Sequence, residues 1–233
     1  VSTACFLFAA PTGFANEITA ISPAHSYNYD MSEFIQWIEE ASSEIKIPGV
    51  AMAIVSREGI AHLKTWGVKK VGGTDSVNSD SIFRIASMSK TFAGTAAALL
   101  VEENLVSWDT LMTDIFPDMN LGTRASSHGI TLKHIVSHST GLMPHSYSNM
   151  LDDGVLYSKI KSRFNKIPTV CRPGECYGYQ NVVFSLTADV VEQSTGETYE
   201  AYLEEHLFKP LGMVTASVGL GSYETNSRST APH

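Results

Sequence analysis

A serine and a lysine stand three residues apart in "FRIASMSKTFAGTAAALLVEENLVSWDT", residues 83–110, at the head of an Ala- and Leu-rich run that reads as a helix. At that spacing Ser87 and Lys90 share one helical face. The lysine is oddly placed, because the positive end of a helix dipole disfavours a cation there. Met88, Phe92 and small neighbours would also exclude water from it. Both effects favour a neutral amine, which can take the proton of a nearby hydroxyl. Backbone N–H groups at a helix start can in turn hold the oxyanion formed when Ser87 attacks a carbonyl. The plainer alternative is a capping serine beside a surface lysine, and this pair alone does not exclude it.

A second group of polar side chains lies in "PGECYGYQNVVFSL", where Tyr179 and Asn181 flank Gln180 in a loop just before a helix. A phenol held beside an ammonium is favoured as phenolate and can relay a proton to a leaving group. The amide of Asn181 can hold both Lys90 and a substrate carbonyl. By itself this stretch also fits a loop tyrosine followed by a helix-capping asparagine.

The elements that must position these groups follow from periodicity. Phe34, Ile35, Trp37, Ile38, Ala41 and Ile45 make one helical stripe that stops at Pro48-Gly49. Val50–Ser56 and Ile60–Val68 read as strands joined by a tight turn at Arg57–Gly59, hence a hairpin. The helix carrying Lys90 is expected to run to about Leu105. Further on, "TLKHIVSHSTG" is expected to be a helix ending at Gly141, "MPHSYSNMLDDG" a loop, and "LYSKIKSRFNKIP" an amphipathic helix. Helices are also expected at "NVVFSLTADVVEQSTG", stopping at Gly196, and at "TYEAYLEEHLFKPLGM"; the tail after Met213 thins into Ser, Thr and Gly. Residues 81–205 therefore form a mostly helical region inserted after the hairpin, and two strands are too few for an independently stable sheet.

Taken in order, four segments resemble the penicillin-recognising serine hydrolases: class C β-lactamases, D-Ala-D-Ala carboxypeptidases among the penicillin-binding proteins, and related esterases. "FRIASMSKTFAG" is similar to their Ser-x-x-Lys motif, "ITLKHIVSHSTGL" to the following helix and loop, "PGECYGYQN" to their Tyr-x-Asn motif, and "YLEEHLFKPLGM" to the next helix. The resemblance runs from about Ile47 to Met213. It implies an α/β (α+β) fold of the β-lactamase/transpeptidase kind, an antiparallel sheet flanked by helices with an inserted helical region. It also implies Ser87 as acylated nucleophile, Lys90 as its base, Tyr179 as proton relay and Asn181 as substrate contact. The Ser87 N–H would donate to the oxyanion, and the Met143–Asn149 loop would border the cleft. The expected activity is β-lactam hydrolysis in the class C manner, with the carboxypeptidase or esterase of the same fold as the alternative. A non-hydrolytic sensor or inactive fragment is the further one. The family's third motif, Lys-Thr-Gly or His-x-Gly on a later strand, has no counterpart after Met213. The sheet is accordingly expected to be incomplete, with its C-terminal strands missing.

Composition narrows the partners. With 16 basic against 24 acidic residues, the formal net charge is −8, and no Lys/Arg-rich run occurs. Nucleic acid and anionic membrane surfaces are therefore not expected; a small-molecule substrate such as a β-lactam, a peptidoglycan peptide or an ester is. The apolar start, followed by Gly13-Phe14-Ala15, reads as a signal-peptide remnant over residues 1–15, leaving 16–233 as the hydrolase domain. Cys5 would leave with it. Cys171 and Cys176, in "CRPGEC", then remain as a disulfide or as two free thiols, and a periplasmic or secreted protein favours the former. His134 and His138 are four residues apart, but Ile135 stands where a zincin has glutamate, so neither metal nor other cofactor is expected. No G-x-S-x-G or P-loop occurs.

Overall fold

The computed structural model describes residues 30–57, 59–122 and 129–231. The signal remnant expected at 1–15, with Cys5, lies outside these. In chain order the elements are α1 (Ser32–Glu44), β1 (Gly49–Ser56), β2 (Gly59–Gly67), α2 (Ser89–Glu102), α3 (Met112–Ile115), α4 (Leu132–Val136), α5 (Ser148–Asp152), α6 (Tyr157–Lys161), α7 (Asn181–Phe184), α8 (Leu186–Thr195), α9 (Tyr199–Leu203) and α10 (Leu220–Glu224). They divide into two units: residues Val1–Arg84 with Met213–His233, and residues Ile85–Gly212.

In the first unit β1 and β2 pair antiparallel, from Gly49 opposite Gly67 to Ser56 opposite Gly59, with an irregularity at Ile54/Val55. Gly67 has φ +80°, and a Cβ there would stand 2.1 Å from the Pro48 carbonyl oxygen, so only glycine closes this end of the hairpin. The tail, thin in apolar residues as read, is nonetheless tied to this unit. Ile82 bridges Ser229 in parallel, and the Ala231 N–H donates to the Lys69 carbonyl at 2.8 Å. Backbone hydrogen bonding, which composition does not reveal, ties down this Ser/Thr-rich segment. The apolar stripe of α1 is split: Ile35, Ile38 and Ala41 are half-buried, whereas Phe34 and Trp37 are 44% and 62% exposed. Ile60 and Leu63 of β2 are exposed as well.

The second unit has a dense core. On α2, Ala93, Ala96, Ala97 and Leu100 recur at i, i+3, i+4 and i+7 and are buried, and this stripe packs against α8 with its buried Leu186, Val190 and Val191. Alanines on the facing stripe let two helices approach closely. Phe92 closes one end against Phe208, ring centroids 5.8 Å apart. Asp189 on α8 joins α6 by accepting from Tyr157 Oη at 2.8 Å and Lys161 Nζ at 2.6 Å, and burial pushes the Tyr157 phenol well above its ordinary range. Leu100 is completely buried. Leu100→Ala is expected to cost about 2–5 kcal/mol of stability, read as a lowered urea midpoint at unchanged slope.

Several helix ends differ from the sequence-based expectation for local reasons. The helix expected to reach Leu105 ends at Glu102, because Asn104 turns left-handed with φ 58°. That expected to reach Gly141 ends at Val136: Ser137 Oγ bonds back to the Lys133 carbonyl at 2.6 Å and His138 takes φ 56°. Within the expected loop "MPHSYSNMLDDG" lies α5, entered through left-handed Tyr147. The helix expected over "LYSKIKSRFNKIP" is α6, and a separate 3-10 turn follows at Phe164–Lys166. By contrast, α8 stops where expected, its Gly196 at φ 78° returning an N–H to the Glu192 carbonyl.

Candidate active site

Ser87 sits in a 3-10 turn, Ala86–Met88, that leads directly into α2. The turn is entered through Ala86 at φ 45°, a left-handed conformation that costs an alanine roughly 1–2 kcal/mol. Ser89 Oγ bonds to the Ala86 carbonyl at 2.7 Å and fastens it. Ser87 is exposed, while Lys90, one turn on, is half-buried.

Tyr179 and Asn181 come to this turn from the other motif. Gln180 between them is extended (φ −136°, ψ 113°), so successive side chains alternate in direction. The Gln180 side chain is buried and donates to the Met143 carbonyl, whereas Tyr179 and Asn181 face Ser87 and Lys90. Tyr179 Oη donates to Ser87 Oγ at 2.8 Å; Lys90 Nζ donates to Asn181 Oδ1 at 2.8 Å and lies 3.4 Å from Ser87 Oγ. The ammonium also stands 4.8 Å from the Tyr179 ring centroid and 5.4 Å from that of Phe184. The hydrogen bonds of Lys90 and then Ser87 hold the Tyr179 phenol below its ordinary 10.0. All four side chains named from sequence are thus brought together, and all belong to the second unit. A hydroxyl, a phenol of lowered pKa and an ammonium in mutual reach can move one proton off the serine and pass it on.

The loop behind Tyr179 is stitched shut. Cys171 and Cys176 form a disulfide. The Gly174 N–H donates to the Ser139 carbonyl at 2.8 Å, and the Val170 N–H to the Gly141 carbonyl at 2.8 Å. Gly141 is at φ +77°, and a Cβ there would lie 2.2 Å from the Cys171 carbonyl oxygen, so these two segments meet backbone to backbone.

The two histidines weighed for metal have other occupations. His134 Nδ1 accepts from the Thr131 N–H at 3.1 Å, closing the start of α4, and His138 Nδ1 accepts from the Gln180 N–H at 3.2 Å. Sequence reasoning missed His138 and Gln180 as supports of the site. The available signal was a histidine directly before Ser-Thr-Gly, in a segment already matched to the loop that precedes the second motif.

A family model described as Beta-lactamase matches residues 34–233. The chain is 26% identical over 191 residues to unguisins hydrolase ungD of Aspergillus violaceofuscus, covering 78% of this chain and 33% of that protein. It is 23% identical over 188 residues to penicillin-binding protein 4 of Amycolatopsis lactamdurans, covering 79% and 48%. Among solved structures, the octameric penicillin-binding protein homologue from Pyrococcus abyssi superposes with a TM-score of 0.76 at 23% identity, over 87% of this chain and 47% of that one. The fold is therefore of the β-lactamase/transpeptidase kind, and the chain spans no more than about half the length of these relatives.

Proposed function

This chain belongs to the β-lactamase family, and on that footing we propose that it carries the catalytic serine of a hydrolase acting through a Ser87 acyl-enzyme, with a β-lactam amide as favoured substrate. The observation that carries this reading is the closed set of contacts at Ser87 Oγ: Tyr179 Oη at 2.8 Å, Lys90 Nζ at 3.4 Å, and Asn181 fixing the lysine at 2.8 Å.

The distances favour Tyr179, more than Lys90, as the group that takes the proton. Once deprotonated, a state that the lysine beside it favours, Tyr179 accepts the Ser87 proton while Oγ bonds to the lactam carbonyl carbon. The Ser87 backbone N–H and the start of α2 face the oxyanion. On collapse the C–N bond breaks, and Tyr179 delivers the same proton to the leaving nitrogen. Water then gives a proton to Tyr179 and attacks the ester; the proton returns to Ser87 as the acid leaves. Asn181 orients Lys90, whose Nζ lies 3.4 Å from Ser87 Oγ.

A second reading, a penicillin-binding carboxypeptidase with a long-lived acyl group, is supported by the likeness to penicillin-binding protein 4. The two differ in the second step alone. Intact mass after mixing with benzylpenicillin separates them: an adduct that decays within seconds to minutes supports the hydrolase, and one that persists for hours supports the carboxypeptidase. A chain that neither gains mass nor consumes benzylpenicillin contradicts both. The disulfide supports a working place in an oxidising compartment, periplasmic or secreted. Among the described residues no helix is long and apolar enough to cross a membrane.

A further inference from the structure

His138 lies outside the four groups that do chemistry, yet it touches the peptide on both sides of Tyr179. Its carbonyl accepts from the Gly178 N–H at 2.8 Å, and its Nδ1 accepts from the Gln180 N–H at 3.2 Å. The imidazole also meets the phenol ring, centroids 4.5 Å apart and planes tilted by 38°, and stacks on Phe184 at 5.0 Å. Tyr177 reaches it edge-on at 5.9 Å. The residue is 8% exposed and its φ is 56°, so the chain accepts local strain to put this ring there.

We propose that His138 is the positioning residue of the site, holding residues 178 and 180 so that the phenol between them is aimed at Ser87, and that its side-chain grip on residue 180 exists only as neutral imidazole. The proposal rests on the reading of Tyr179 given above.

The second half follows from hydrogen-bond chemistry. An acceptor Nδ1 is unprotonated, so the ring's proton is on Nε2. A protonated ring would face the Gln180 N–H with a second donor and would place a second cation near Lys90. The titratable groups facing it are Lys90 from α2 and the phenols of Tyr177 and Tyr179. Burial first, then the Lys90 charge, holds the imidazole below its ordinary 6.5. The sign is therefore set: the grip is complete above about pH 6.5 and is lost as pH falls through the lower folded value, the unfolded chain taking up its proton first.

Amide hydrogen exchange reads the two contacts separately from activity. In this chain Gln180 protection is expected to fall about tenfold or more on acidification across the histidine range, while Gly178, bonded to a carbonyl, keeps its protection. In His138→Ala, Gln180 is unprotected at every pH, and the acylation rate with benzylpenicillin falls about 10²-fold with little change in the concentration giving half-maximal rate. His138→Asn offers Oδ1 where Nδ1 was, and asparagine tolerates a left-handed φ. It should restore Gln180 protection and most of the acylation rate, and remove the acid loss. Equal Gln180 exchange in wild type and His138→Ala would overturn the proposal, as would undiminished acylation in that variant. Should no form acylate, the exchange data still judge the grip, and the Ser87 reading alone falls. If the alanine variant fails to fold, His138→Asn and the wild-type pH series decide.

Discussion

Ser87→Ala is expected to abolish the benzylpenicillin adduct and to lower any turnover by about 10³-fold or more, the scale on which removing a covalent nucleophile acts. The reason is geometric. Tyr179 and Lys90 both converge on Ser87 Oγ. Fold is not expected to suffer: Ser87 is exposed, and it is Ser89 Oγ that fastens the turn to the Ala86 carbonyl. Intact mass and far-ultraviolet circular dichroism on the same sample check both halves. An adduct of unchanged yield in folded Ser87→Ala would place the reaction elsewhere.

Tyr179→Phe is the second large effect. It removes the hydroxyl 2.8 Å from Ser87 Oγ while keeping the ring that lies against His138 and Lys90. Acylation and deacylation both lose their proton carrier, so each step slows, by about 10²–10⁴-fold for general acid–base catalysis. Deacylation suffers more, because Lys90 Nζ, 3.4 Å from Oγ, can still assist loss of the serine proton. The adduct should therefore form slowly and then persist. The pH profile supplies an independent check. A base must be deprotonated to act, so the wild-type rate rises with pH through the Tyr179 value, which Lys90 and Ser87 hold below 10.0. That rising limb disappears in the phenylalanine variant. Identical profiles in the two proteins would assign the proton to another group.

How much of this was legible in the sequence differs by residue. The i, i+3 spacing of Ser87 and Lys90 and the i, i+2 spacing of Tyr179 and Asn181 describe local geometry, and local geometry is what a sequence shows. The hairpin was legible for the same reason, through the turn at Arg57–Gly59. Ala86 at φ 45° was not, since alanine before a helix signals nothing of the kind. Nor was His138, whose partners Gly178 and Gln180 lie some forty positions downstream and are engaged through backbone N–H groups, which every residue but proline possesses. The stop of α4 at Val136 depended on Ser137 bonding back to Lys133, a choice that the apolar pattern does not encode. The stripe on α1 was legible as a pattern, but the exposure of Phe34 and Trp37 was not, because a stripe states what a helix offers and not what meets it.

Ser87 and Tyr179 are 92 positions apart, yet they meet within one unit of the chain. Closing so long a loop costs entropy before its contacts return any stabilisation, and contacts of high sequence separation slow folding. The helices of this unit can form from near neighbours, whereas the hydrogen bond between phenol and serine exists only once the intervening segment is docked. Acylation competence during refolding would consequently lag behind helix content, which makes the reaction itself a clock for the last event in assembly.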